Sequence, residues 1–382
     1  MSMPDLEQVA GAMLPEAETV NDSIRDLFFK AIENDIIDAI LIPHETPDGD
    51  SFAYILARDA ELIKTGVPLP PIMPISGGRV LMSLCKNGGG TLRIAAIMRP
   101  CEIRSAIELS KLRQVDLERL LLITMDCPGA IPLSSWFADQ ATARERFDAL
   151  DENPDNEHLR PICRICDNAD ITNPDLHIGT RGLQAGSASL IACSEHGEQF
   201  LESMGMNVTA DLKSWRGKTR ELKSDRIEKR KIKFAELRED YAGINGLSNA
   251  LRGCIGCRIC RDVCPLCICR ECYFDCLTIQ RTPEEYLRRA DEAGFLRFPP
   301  GNALFHIGRM THMSFQCVSC GACEDACPVG LPVAQLFSMV GEETSSVFEY
   351  LPGMDREAEI PLNTYRENEL EELDGSREEV AS

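Results

Sequence analysis

Residues 91–127 read TLRIAAIMRPCEIRSAIELSKLRQVDLERLLLITMDC. Two apolar runs of strand length, TLRIAAIM (Thr91–Met98) and RLLLITMD (Arg119–Asp126), flank CEIRSAIELSKLRQ, whose apolar positions follow a helical period. Strand, helix, strand is the pattern of a parallel crossover, so this stretch predicts an α/β domain. A cysteine follows each strand directly, Cys101 after IAAIMRP and Cys127 after LLLITMD. Ligands of a parallel α/β sheet bind in the crevice beyond the carboxyl ends of its strands. Both thiols are therefore expected at that edge.

Outward from this unit the same fold class continues. SIRDLFFKAIEND reads as a helix before the strand-like IIDAILIP, and a further helix is expected over Ser134 to Asp151. Residues 1–210 thus form one domain. Downstream, ICRIC supplies Cys163 and Cys166 at C-x2-C spacing. With Cys101 and Cys127 they could close a 4Fe–4S cluster. Cysteine is also a small buried hydrophobe, and spacing alone leaves that choice open.

The chain of 382 residues is long enough for two or three domains. A formal net charge of −21 argues against a general affinity for nucleic acid. Eighteen cysteines would suit a secreted disulfide scaffold, but such scaffolds are usually short. The first residues, MSMPDLEQVAGAMLPEAE, are acidic and lack the basic and apolar segments of a secretory signal. No apolar run reaches membrane-span length. The expectation is a cytoplasmic protein whose thiolates hold metal.

Where the metal sits is clearest in residues 246–340. CIGCRICRDVCP (254–265) is echoed by CVSCGACEDACP (317–328). C-x2-C-x2-C-x3-C-P, present twice, is the run of bacterial ferredoxins, in which the fourth cysteine crosses to the other cluster. One 4Fe–4S cluster is therefore expected on Cys254, Cys257, Cys260 and Cys327. A second is expected on Cys317, Cys320, Cys323 and Cys264. Pro265 and Pro328 turn the chain after each crossing ligand, and Gly256 and Gly321 keep bulk away from the cubes. Zinc usually takes paired C-x2-C knuckles instead. The module reads as an α+β bacterial-type ferredoxin domain with a long insertion containing TPEEYLRRADEAG and FPPGN.

Cys267, Cys269, Cys272 and Cys276 follow as C-x-C-x2-C-x3-C. They could hold a fourth cluster or be reduced thiols beside a neighbouring one. Cys85 and Cys193 read as packed thiols, and neither His306 nor His312 is assigned. Residues 211–245 read as a charged linker helix. Lys213 to Lys233 hold ten Lys/Arg and three Asp/Glu, which suits a solvated face or a basic docking surface. Residues 341–382 read as an acidic tail, without a core pattern from Asp355 onward.

MRPCEIRSAIEL, LLLITMDCPG and CRICDNADITNPDLHIGTRG, in this order and spacing, resemble the beta-subunit family of coenzyme F420-dependent hydrogenases and formate dehydrogenases. The likeness is clearest over residues 90–195, and the module after 246 resembles that of the formate dehydrogenase beta subunits. The resemblance implies a flavin-binding α/β domain with a cluster on Cys101, Cys127, Cys163 and Cys166. It also implies FAD held by glycine-rich loops, whose amides can approach a pyrophosphate. The candidates are PISGGR (Gly77, Gly78, Arg79) and HIGTRGLQAGS (Gly179, Thr180, Gly182, Gly186, Ser187). A glycine pair that the family often carries before its first helix is missing from TVNDSIRDLFF.

The implied activity is an oxidoreductase subunit that interconverts hydride chemistry, with F420 or NAD(P)H at FAD, and one-electron transfer along clusters. Its partner would be a formate dehydrogenase, hydrogenase or heterodisulfide-reductase-like subunit. The alternative is an electron-transfer adaptor with no soluble hydride carrier of its own.

Overall fold

The computed structural model describes residues 6, 9–150, 156–184, 186–276, 281–296, 298 and 301–365. Seven strands form its central sheet: β1 (Ala10–Met13), β2 (Ala39–Glu45), β3 (Phe52–Ala57), β4 (Ile94–Ile97), β5 (Leu120–Met125), β6 (Leu176–Gly179) and β7 (Ser189–Ala192). Their order is β1-β7-β6-β5-β4-β2-β3. β2, β4, β5 and β6 run parallel, and β3, β7 and β1 join antiparallel at the flanks. β4, β5 and β6 are buried along their whole length, as expected for parallel strands covered on both faces.

The pleat divides the apolar side chains between two cores. Ala95, Ile97 and Ile123 face one core, with Phe28 and Phe200 from the helices Val20–Glu33 and Glu195–Ser203. Ile94, Ala96 and Leu122 face the other, with Ile103 and Ile107 from the crossover helix Pro100–Lys111. Leu266, Met310, Val318 and Phe337 belong to this second core. The cysteine-rich region is thus packed onto one face of the sheet.

Capping explains where the key helices begin. Thr19 and Asp22 form a capping box at the first helix. At the crossover helix Pro100 takes the first position, and the Glu102 carboxylate accepts from the Arg99 amide at 2.9 Å. The helix expected over Ser134 to Asp151 is two, Leu133–Ala138 and Gln140–Asp148. Asp139 breaks them by adopting extended backbone and capping the Thr142 amide at 3.1 Å. Asp151 itself lies outside the described residues.

The expected linker helix spans Lys213–Asp240, but it is not solvated all round. Trp215, Thr219, Arg226, Phe234 and Leu237 are buried at roughly helical spacing. Arg230 reaches Glu342 at 2.5 Å and Arg238 pairs with Glu343, tying this helix to the helix Val333–Phe348.

The segment expected to begin an acidic tail at 341 is, up to Ile360, docked structure. Its first residues complete the helix Val333–Phe348. The Tyr350 hydroxyl and the Gly353 amide then donate to buried Glu108 at 2.6 and 2.7 Å, and Arg356 donates to Asp175 at 3.0 Å. The sequence pattern hid this because the contacts are polar. Residues 366–382 of the expected tail lie outside the described residues. Among the described residues no strand follows Ala192, so the expected α+β ferredoxin domain is helical here, and no helix is long and apolar enough to cross a membrane.

Candidate iron–sulfur centres

Cys101 and Cys127 stand beyond the carboxyl ends of β4 and β5. The short helix Pro161–Arg164 supplies Cys163, and Cys166 follows it. All four line one cavity. Gly129 lets the chain after Cys127 come close, at φ +130. A Cβ there would stand 2.8 Å from Leu159 Cδ2 and 3.0 Å from Cys163 Cβ.

Three arginines line the same cavity: Arg99, Arg160 and Arg226, at 3%, 2% and 1% exposure. Arg99 Nη1 lies 3.2 Å from Cys127 Sγ and donates to the Gly129 carbonyl at 2.7 Å. Arg160 donates to the Met73 carbonyl at 3.1 Å and forms an ion pair with Asp325 at 2.5 Å. Arg226 donates to the Pro128 carbonyl at 3.0 Å. Yet Nε of all three, and Nη1 of Arg226, are buried without a hydrogen-bond partner. Native proteins rarely leave buried donors unpaired. Orphaned donors around four thiols fit an anionic group held in the cavity.

The donor set supports the same conclusion. Burial pushes the Cys166 thiol up to about 11 and disfavours its bare thiolate, although Arg226 opposes the shift. Binding iron would displace the proton. Among the described residues no three histidine, cysteine or carboxylate groups converge enough to hold a single metal ion. A single zinc needs thiolates at about 2.3 Å from one point, whereas a cubane takes them at its corners. Four thiols lining one cavity are a donor set that a 4Fe–4S cluster can take.

Asp126, the residue before Cys127, anchors that edge. Its carboxylate accepts from the Thr180 and Arg181 amides at 2.7 and 3.0 Å and from Arg181 Nη1 at 2.9 Å. Trp215 Nε1 donates at 3.0 Å, and His177 Nε2 lies at 3.1 Å. An ionised carboxylate only accepts, so His177 Nε2 carries a proton, and its Nδ1 is hydrogen-bonded with the Thr124 hydroxyl at 2.7 Å. Burial by itself would raise the Asp126 pKa. Arg181, His177 and the Thr180 amide outweigh it and hold the carboxyl well below the usual range. Arg181 also reaches the Cys127 and Ala169 carbonyls, at 3.4 and 3.0 Å.

A second cavity is lined by Cys264, Cys317, Cys320 and Cys323, together with Arg309. The crossing cysteine, Cys264, therefore meets the three from the other run. Cys254, Cys257 and Cys327 all lie within electrostatic reach of Cys260. Ser319 and Cys320 line both the second cavity and the one in the α/β domain. Arg309 is buried within reach of Cys264, Cys260 and Cys323, and its Nε and Nη1 also lack partners. Gly321, at φ +80, sits against the α/β domain. A Cβ there would stand 2.5 Å from Ile162 Cγ2.

Of the unassigned histidines, His306 is buried with Nε2 at 3.4 Å from Cys254 Sγ, while His312 is exposed. Burial, helped by Arg309, pushes the His306 pKa down to about 4. The four further cysteines have differing surroundings. Cys267 lies near Cys264 and Cys269, Cys272 packs in the cluster of Cys260 and Phe274, Cys269 is exposed, and Cys276 Sγ donates to the Tyr273 carbonyl at 2.9 Å.

Several of the residues expected to cradle FAD have partners within the fold. Gly77 and Gly78 open the helix Gly77–Leu84 in close contact with the crossover helix and strand. Cβ atoms there would stand 2.7 Å from Met98 Sδ and 2.1 Å from Ser105 Oγ. The Gly77 amide donates to Glu102 at 2.6 Å, and Arg79 donates to the Cys264 carbonyl at 3.0 Å. A Cβ on Gly179 would stand 2.8 Å from Trp215 Nε1, and the Thr180 amide is committed to Asp126. The Gly77 and Thr180 amides are thus taken by carboxylates of this chain. Gly182, Gly186 and Ser187 lie in the turn beyond, with Gly182 and Gly186 at positive φ.

Sequence reasoning missed the arginines. Arg99 and Arg160 had a local signal, because each precedes a proline that opens a helix carrying a cluster cysteine, as RPC and RPIC. Arg226 had none. It looked like one more base in a basic helix.

The fold and its thiol-lined cavities define an iron–sulfur protein of the electron-transfer class, with an α/β domain and a helical dicluster region. The family model for the 4Fe–4S dicluster domain matches residues 250–331. The F420-dependent formate dehydrogenase beta subunit of Methanocaldococcus jannaschii is 25% identical over 366 residues, covering 87% of this chain and 92% of that protein. The beta subunit of F420-dependent formate dehydrogenase 1 from Methanococcus maripaludis is 27% identical, covering 92% and 95%. A chain of the F420-reducing NiFe hydrogenase complex from Methanosarcina barkeri aligns with a TM-score of 0.45 at 12% identity, over 64% of this chain and 95% of that one. This chain is thus similar, at 25–27% identity over most of its length, to the F420-dependent formate dehydrogenase beta subunits.

Proposed function

We propose that the chain is the electron-transfer subunit of a multi-subunit, F420-linked oxidoreductase and holds three 4Fe–4S clusters. Cys254, Cys257, Cys260 and Cys327 hold one, and Cys264, Cys317, Cys320 and Cys323 hold the second. Cys101, Cys127, Cys163 and Cys166 hold the third. When bound, such clusters supply one-electron transfer at potentials set by charge, hydrogen bonding and exposure. The observation that carries the reading is the common wall of Ser319 and Cys320, which brings the α/β cavity against the dicluster region. Cys257 is exposed and puts the far cluster near the surface for a partner. Iron analysis of anaerobically prepared protein tests the count. About twelve irons per chain supports three cubanes, and about eight removes the site in the α/β domain.

The finer reading adds FAD and a hydride carrier, F420 or NAD(P)H, to this chain. The commitment of the Gly77 and Thr180 amides favours the other reading, an adaptor linking partner enzymes such as a formate dehydrogenase, hydrogenase or heterodisulfide-reductase-like subunit. Extraction of flavin from the anaerobic chain, and bleaching of its band by reduced F420 or NADH, would sink the adaptor. Reduction only through a partner subunit would sink the enzyme.

A further inference from the structure

The basic helix, the orphaned arginine nitrogens and the α/β cavity have one explanation in common. We propose that Arg99, Arg160 and Arg226 form a cationic cage that raises the reduction potential of the centre on Cys101, Cys127, Cys163 and Cys166 above that of its dicluster neighbour, with Arg226 the strongest contributor. This rests on the third-cluster reading given above.

Reduction of a cluster adds one electron and hence one negative charge. A buried cation stabilises the reduced form more than the oxidised one, and the effect is large where water is excluded. Three arginines line this cavity, whereas among the described residues Arg309 is the one arginine lining the cavity of Cys264, Cys317, Cys320 and Cys323, with Arg104 and Arg230 within electrostatic reach of Cys317 and Arg160 of Cys320. The three are not equivalent. Asp325 pairs with Arg160, and Glu102 lies within electrostatic reach of Arg99, so part of each charge is offset. Arg226 is hydrogen-bonded only to the Pro128 carbonyl, has no carboxylate partner among the described residues, and leaves Nε and Nη1 unpaired at 1% exposure. Its long helix supplies the reach. Trp215 binds Asp126 near the helix start, and Arg230 and Arg238 fasten the later turns to Glu342 and Glu343. Arg226 is thus held over the cavity by contacts on both sides of it. The inference gives this helix a definite role, positioning one charge beside a redox centre.

The test is a potentiometric titration of the intact chain followed by electron paramagnetic resonance. The signal lost in Cys101→Ala/Cys127→Ala identifies the centre. In wild type its midpoint should lie above that of the centre on Cys264, Cys317, Cys320 and Cys323, itself marked by Cys264→Ala. Arg226→Met should shift its reduction equilibrium at least tenfold towards the oxidised form, about 59 mV for a one-electron couple. The dicluster midpoints should move less, and Arg226→Lys should recover most of the shift. Arg226→Met with about twelve irons and an unmoved midpoint overturns the proposal. So does loss of the same four irons in both Arg226 variants, which would make the arginine an assembly residue. Wild type with about eight irons fails at the earlier step, the cluster itself.

Discussion

Cys317, Cys320 and Cys323 reach their cavity within one loop and one short helix, with only Cys264 arriving from elsewhere. Cys101, Cys127, Cys163 and Cys166 reach theirs from two strand ends and a separate short helix, past an arginine from a fourth element. Three ligands of the first set are close before the chain folds. The second set requires the sheet. The difference teaches that the same donor chemistry can rest on local spacing in one region and wholly on tertiary structure in another.

The largest expected effect breaks the comparison at its weaker side. Cys101→Ala/Cys127→Ala should lower iron from about twelve to about eight per chain and leave the dicluster signals in place. A fall to near zero would show that the dicluster region also depends on the α/β site.

Next is Asp126→Ala. It leaves Arg181, His177, Trp215 and two amides without their acceptor, and loss of one member of a buried pair costs about 3–5 kcal/mol. Denaturant midpoints should fall accordingly, with iron lost first from the α/β site. The sign of the pH dependence follows from the depressed carboxyl. Its contribution is complete above the unfolded-state value of about 3.9 and is lost as pH falls towards the folded one. Stability of the wild type should therefore drop with acid more steeply than that of Asp126→Asn.

Gly78→Ala sharpens the reading of PISGGR. The added methyl would stand 2.1 Å from Ser105 Oγ, and overpacking of this kind costs about 1–3 kcal/mol in the denaturation midpoint. Unchanged stability with altered flavin content would restore the cradle. The smallest effect is Tyr350→Phe, which removes one bond to Glu108 and should cost about 1 kcal/mol by the same measurement. Its absence would detach the segment after 348 from the sheet face.

Much of this was legible beforehand, for identifiable reasons. The crossover TLRIAAIM–CEIRSAIELSKLRQ–RLLLITMD kept its period because each element buries a continuous face. The crossing of Cys264 followed from a spacing with one prevailing geometry. The function of HIGTRGLQAGS was not legible. A glycine-rich turn presents free amides in either case, and only Asp126, 54 residues from Thr180, decides that two of them are taken.

By itself, then, the sequence determined the parallel α/β core, the paired ferredoxin runs and the candidate thiols, because period and spacing are local properties that survive in any folded context. The tertiary structure alone decided that Arg99, Arg160 and Arg226 surround one group of thiols, that the basic helix is half buried and that residues 349–360 dock on Glu108 and Asp175. Those outcomes turn on which charges lose their water. Burial is a property of the assembled chain, and no run of residues carries it.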